Sequence, residues 1–83
     1  MNTQIRTLLA AHGGLSSSAT SISNDADLYR AGLKSHACVE LMLALEEAFN
    51  VEFSDEMLTR ATFRSVAAIE RAVSMLRHET LPV

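Results

Sequence analysis

The 83-residue sequence predicts an all-α fold, one small bundle of helices. Three observations carry that expectation. Apolar residues recur at helical spacing in three stretches, Ser or Gly stands at the ends of those stretches, and no run alternates apolar and polar residues long enough for a confident strand. A chain of this length has room for a single domain and none for a multidomain enzyme. A domain of this size buries only about 60% of the surface its unfolded chain exposes. With Tyr29, Phe49, Phe53 and Phe63 as its aromatic residues, its core is mostly aliphatic and a deep substrate cavity is not expected. The single cysteine cannot close an internal disulfide, and no Cys/His cluster has metal-finger spacing. Stability therefore has to come from packing.

The first helix is expected over about residues 3–12. Ile5, Leu8 and Leu9 form its apolar stripe, Asn2 or Thr3 can cap it, and Gly13-Gly14 stops it. Leu15 to Asn24 is rich in Ser and Thr, including Ser16, Ser17, Ser18, Thr20, Ser21 and Ser23, and reads as a long loop between helices one and two. Asp27 to Gly32 makes a helical turn. Helix two follows over about residues 36–49 with Ser35 as its N-cap. At about 100° per residue, Cys38, Leu41, Met42, Leu45 and Phe49 share one face, while His36, Glu40, Leu43 and Glu47 share the opposite one. The first face is the core face.

Asn50-Val51-Glu52-Phe53 is too short to be a strand, and Ser54-Asp55-Glu56-Met57 reads as the capped start of a short third helix over about residues 54–59. Ser65 caps a last helix over about residues 66–77, in which Val66, Ile69, Val73 and Leu76 point inward and Arg71 and Arg77 approach the negative end of the helix dipole. Three main helices plus the short one make four in all. Met42, Met57 and Met75 read as core fillers, and Glu79 to Val83 as a frayed tail.

Charge is unevenly placed. Glu40, Glu46, Glu47, Glu52, Asp55 and Glu56 lie between Ser35 and Thr59 with no Lys or Arg among them, and Arg60, Arg64, Arg71 and Arg77 follow. A solvated face explains an acidic helix by itself. Here Leu43, with Val39 beside it, lies within the acidic face, and an apolar knob ringed by carboxylates suits docking against a basic partner with an apolar notch. The net charge of −3 and the absence of a basic stripe argue against nucleic-acid binding. No run approaches the length of a membrane span and the N-terminus has no signal-peptide pattern, so the expectation is a cytoplasmic protein, monomeric when free.

Ser35 has no nucleophile machinery in the sequence. His36 is adjacent but would have to fold back, there is no G-x-S-x-G elbow, and nothing supplies an orienting acid or oxyanion hole. Capping alone accounts for a serine at a helix start. If Ser35 reacts, another protein activates it. Cys38 on the core face reads as a small hydrophobe, His12, His36 and His78 form no metal pair, and the Asn24-Asp25-Ala26-Asp27 run lacks the glycine and glutamate of a calcium loop.

The segment from Gly32 to Phe49, GLKSHACVELMLALEEAF, resembles the acyl carrier proteins, in which a Gly-x-Asp-Ser-Leu turn opens a helix reading roughly Val-Glu-Leu-x-x-Ala-Leu-Glu-Glu-x-Phe. The resemblance extends to Asp27-Leu28 upstream and to Phe53, Asp55-Glu56 and Ser65-Val66-Ala67-Ala68-Ile69 downstream, about two-thirds of the chain. It implies an acyl-carrier-like bundle with 4'-phosphopantetheine attached from coenzyme A at Ser35. It further implies an acyl or aminoacyl cargo held as a thioester, and no catalysis by the carrier itself. Lys34 and His36 replace the usual Asp and Leu around that serine, a departure shared with small carriers outside fatty acid synthesis, some of which accept activated amino acids from stand-alone ligases. The implied partners are a phosphopantetheinyl transferase, an acyl- or amino-acid-activating ligase and downstream acyl-transfer enzymes. His36, Val39, Glu40, Leu43, Glu46 and Glu47 form the expected partner-binding surface, with the glutamates steering and Val39 and Leu43 anchoring. The alternative is an unmodified acidic helical adaptor that binds through helix two, and a small serine hydrolase stands third.

Overall fold

α1 spans Asn2–His12, α2 spans Ser35–Phe49 and α3 spans Val66–Thr80, with one 3-10 turn at Asp55–Met57. The computed structural model describes residues 2–15 and 21–80, with side chains described as far as Arg77. Ser16, Ser17, Ser18 and Thr20 of the expected loop lie outside the described residues, as do Leu81 to Val83 of the expected tail. The described residues contain no strand, and no helix is long and apolar enough to cross a membrane.

α1 buries Ile5 and Leu9 and ends where the Gly13 N–H donates to the Leu9 carbonyl at 2.7 Å. A Cβ on Gly13 would lie 2.7 Å from that same oxygen, so only glycine closes the helix this tightly. Asn2 does not cap α1. Its amide donates to Asn24 Oδ1 at 2.9 Å and to Glu70 Oε2 at 3.2 Å, while its Oδ1 accepts from Arg6 Nε at 2.7 Å. Arg6 also donates to the Ile22 carbonyl and to Asn24 Oδ1. One polar cluster thus ties the start of α1 to the loop and to α3.

Before α2 the chain makes the expected helical turn. Asp27 Oδ1 accepts from the Tyr29 N–H at 3.0 Å, Leu33 N–H returns to the Leu28 carbonyl at 2.9 Å, and Gly32 takes φ 117°, a left-handed conformation that a side chain would strain. The Leu28 N–H donates to the Arg64 carbonyl at 2.7 Å and the Ala67 N–H to the Asn24 carbonyl at 3.0 Å, so the approaches to α2 and α3 are pinned together.

The core runs through all three helices, with Ile5, Leu9, Leu41, Leu45, Ile69 and Val73 fully enclosed. α2 stops at Asn50 in the left-handed region (φ 53°), whose N–H, like that of Val51, returns to the Glu46 carbonyl. Val51 and Phe53 then turn inward from an extended segment, and the Phe53 and Phe63 rings meet at 5.6 Å.

The short third helix is corrected to a single 3-10 turn, so the described residues form three α-helices rather than four. Three residues are too few to nucleate an α-helix. Ser54 makes no side-chain cap there, and Leu58 leaves helical geometry at φ −82°, ψ 60°. Ser65 does cap α3, its Oγ accepting from the Ala68 N–H at 3.0 Å. α3 continues to Thr80, past the expected end near Arg77, because Pro82 is the first residue in the sequence that opposes it. Met42 and Met57 are half-buried against the core, but Met75 is exposed, since Ile69, Ala72, Val73 and Leu76 already fill the inner stripe.

Candidate functional site

Ser35 is the first residue of α2 and not its N-cap, which is Lys34 at φ −102°, ψ 161°. Burial of Leu33 and its bond back to Leu28 fix the direction of entry, so Lys34 becomes the junction residue. An ammonium only donates, and Lys34 therefore offers no side-chain acceptor to the first-turn N–H groups. The Ser35 hydroxyl is exposed, has no hydrogen-bond partner among the described residues, and is not spent on capping.

This geometry fits a phosphate ester. An anion attached to Ser35 Oγ lies beside the uncapped N–H groups at the positive end of a four-turn helix, where negative charge is favoured.

A groove of about 460 Å³ opens at Ser35 between the start of α2 and the turns before α2 and α3. Cys38, Val39 and Met42 form its α2 wall, and Leu58, Thr59, Arg60 and Phe63 face them, with Tyr29 at the base of the turn. The Tyr29 hydroxyl donates to the Arg60 carbonyl at 2.8 Å, and the Arg60 guanidinium lies 4.0 Å above the Tyr29 ring centre. The Cys38 thiol donates weakly to the Tyr29 oxygen at 4.0 Å. Burial, aided by the Cys38 thiol, pushes the Tyr29 phenol up to about 12. Burial also pushes the Cys38 thiol above its usual range, opposed by the Tyr29 hydroxyl and the Arg60 charge. Cys38 is thus half-buried at a groove and not enclosed in the core.

Along the outer face of α2 the structure exposes His36, Val39, Glu40, Leu43 and Glu47, five of the six residues expected to meet partners. Val39 and Leu43 are each 54% exposed, and Val39 also borders the groove. Glu46 differs. It is half-buried, and its Oε2 accepts from the Phe53 N–H at 2.9 Å, so this carboxylate holds the segment after α2 in place. The sequence reading missed the far wall of the groove: Tyr29, Leu58, Thr59, Arg60 and Phe63. They come from turns with no periodicity, and the only signal for Arg60 is that it is the first cation after the acidic stretch.

Comparison with known proteins agrees with this geometry. Residues 3–73 match the phosphopantetheine attachment site family. The chain is 49% identical over 76 residues to the aminoacyl carrier protein of Agrobacterium fabrum (strain C58), covering 92% of each chain. Among solved structures it superposes, with a TM-score of 0.86 and 50% identity, on 99% of a chain in the complex of an engineered Bradyrhizobium japonicum glycine:[carrier protein] ligase with the Agrobacterium tumefaciens carrier protein and AMP, covering 89% of its own length. It also matches a chain in the complex of the B. japonicum ligase with glycylated carrier protein, at a TM-score of 0.72 and 28% identity over 86% of this chain and 95% of that one. The chain belongs to the phosphopantetheine attachment site family, the carrier proteins to which 4'-phosphopantetheine is covalently attached.

Proposed function

We propose that this protein carries an activated amino acid as a thioester on 4'-phosphopantetheine bonded through its phosphate to Ser35 Oγ. The observation that carries this reading is the exposed, unengaged Ser35 hydroxyl on the first residue of α2. When attached, the arm supplies a terminal thiol that holds acyl groups at high local concentration for successive enzymes. Ser35 contributes only its oxygen, so a phosphopantetheinyl transferase has to bring the base, the divalent cation and coenzyme A. The amino-acid class of cargo is supported by the aminoacyl carrier relative and by the glycine ligase complexes of similar carriers.

The loading ligase and the enzymes that later take the cargo dock on the outer face of α2. Glu40 and Glu47 steer a basic partner there, and Val39 and Leu43 supply the apolar contact. Incubation with coenzyme A, Mg²⁺ and a broad-specificity transferase, followed by intact mass, tests the attachment. Wild type should gain one phosphopantetheine and Ser35→Ala none. A chain that no transferase modifies is an unmodified acidic adaptor instead.

A further inference from the structure

We infer that the end of the bundle around Ser35 is a second half of the docking surface, opposite in charge to α2, and that it receives a carboxylate-bearing segment of the ligase that loads the arm. The inference deepens the proposed function and rests on it.

From Asp27 to His36 and from Leu58 to Ser65 the cations are Arg30, Lys34, Arg60 and Arg64, all exposed, and Asp27 is the one carboxylate. That carboxylate lies 3.9 Å from Arg64. The two segments meet at this end, where the Leu28 N–H donates to the Arg64 carbonyl and the Arg60 guanidinium stacks on the Tyr29 ring. From Ala37 onward α2 carries Glu40, Glu46 and Glu47 and no Lys or Arg. The sign of the surface therefore changes just past Ser35.

Lys34 is the decisive residue, because the fold gains nothing from it. An N-cap position favours a side-chain acceptor and negative charge, and Lys34 supplies neither. Among the described residues no carboxylate lies within ion-pair distance of Lys34 or Arg60. A residue that breaks a local rule without a local gain points to a contact outside the chain, and for an exposed ammonium that contact is a carboxylate. Arg60 is its companion. Its carbonyl accepts the Tyr29 hydroxyl and its guanidinium is fixed over the ring, so it loses little freedom on pairing with a carboxylate, which it matches in geometry.

The change of sign fixes the orientation of the complex. Lys34 and Glu40 stand about 9 Å apart along the helix axis at about 1.5 Å per residue, close to the screening length of about 8 Å at physiological salt, so a partner meets the two signs separately. A ligase with an acidic patch over Lys34 and Arg60 and a basic patch over Glu40 and Glu47 brings its active site to Ser35. Turned end to end, the same ligase would set like charges together.

The test uses the full-length holo protein and an amino acid:carrier protein ligase that loads it, attachment and loading first being established by intact mass. Lys34 is the only lysine in the chain, so a zero-length carbodiimide reports its neighbour directly. It activates a carboxylate, the Lys34 amine displaces it to form an amide, and the carbodiimide leaves as its urea. Peptide mass spectrometry should find Lys34 joined to an Asp or Glu of the ligase, and Glu40 or Glu47 joined to a ligase lysine. Arg60→Gln should weaken ligase binding about two- to fivefold, the worth of one exposed ion pair, and Lys34→Asp, which turns attraction into repulsion, about 4- to 25-fold. Arg71→Gln on α3 should leave it unchanged. Lys34→Asp should at the same time raise Tm by about 4–8 °C, because it adds the missing cap. Failure of attachment or loading refutes the proposed function. Loading with no amide from Lys34 to a ligase carboxylate, or with Lys34→Asp binding as wild type does, overturns the inference, and so does a loss of affinity accompanied by a lower Tm, which would make Lys34 structural.

Discussion

Leu43→Ala isolates the docking role of α2 from its structural role. Leu43 is 54% exposed in the free protein, so roughly half its surface remains to be withdrawn from water by a partner. Full burial of a leucine stabilises by about 1.5–3 kcal/mol, and the exposed share amounts to about 0.8–1.6 kcal/mol, a loss of about 4- to 15-fold in affinity. The fold should barely respond, by less than about 0.5 kcal/mol, because the side chain closes no core space. Met75 supplies the control: at 58% it is equally exposed, but it stands on α3. Calorimetric titration of the carrier into an amino acid:carrier protein ligase, with thermal melts alongside, reads both quantities. A Leu43→Ala affinity within twofold of wild type, or an equal loss in Met75→Ala, would refute the assignment of the docking surface.

Removing the Ser65 cap by substitution to alanine should cost about 1 kcal/mol, seen as a fall of about 4–8 °C in Tm. Glu46→Ala leaves the Phe53 N–H without its acceptor and should cost a similar amount, with Glu46→Gln recovering part of it in urea melts. Tyr29 is the only tyrosine and there is no tryptophan, so phenolate absorbance reports it alone and should show a midpoint near 12 instead of 10.0. Because the folded state holds that proton more tightly than the unfolded chain, stability is fully present below pH 10.0 and falls as pH rises from there through about 12. Tyr29→Phe should remove that slope.

The fold was legible wherever a local period dictates burial. Leu41, Leu45 and Phe49 are enclosed and Leu43 and Glu47 exposed because one helical repeat sorts them. What escaped depends on contacts distant in sequence. Tyr29 and Arg60 stack from two separate turns, and neither segment carries a pattern that announces the other. Glu46 reads as one more surface carboxylate until the left-handed turn at Asn50 brings the Phe53 N–H beneath it. Ser35 shifted from cap to first helical residue because the bond between Leu33 and Leu28 decides where the chain enters α2. The far half of the groove was invisible for the same reason, while the exposed serine at the start of α2 and the outer face of that helix were not.

The central claim, that an amino acid rides on Ser35, is tested most directly by peptide mass spectrometry of the holo protein after exposure to an amino acid, ATP and an amino acid:carrier protein ligase. The account predicts a Ser35 peptide heavier by one phosphopantetheine and one aminoacyl group, the latter removed by hydroxylamine. A Ser35 peptide of unmodified mass, or an aminoacyl group found on Cys38 or elsewhere, would contradict it.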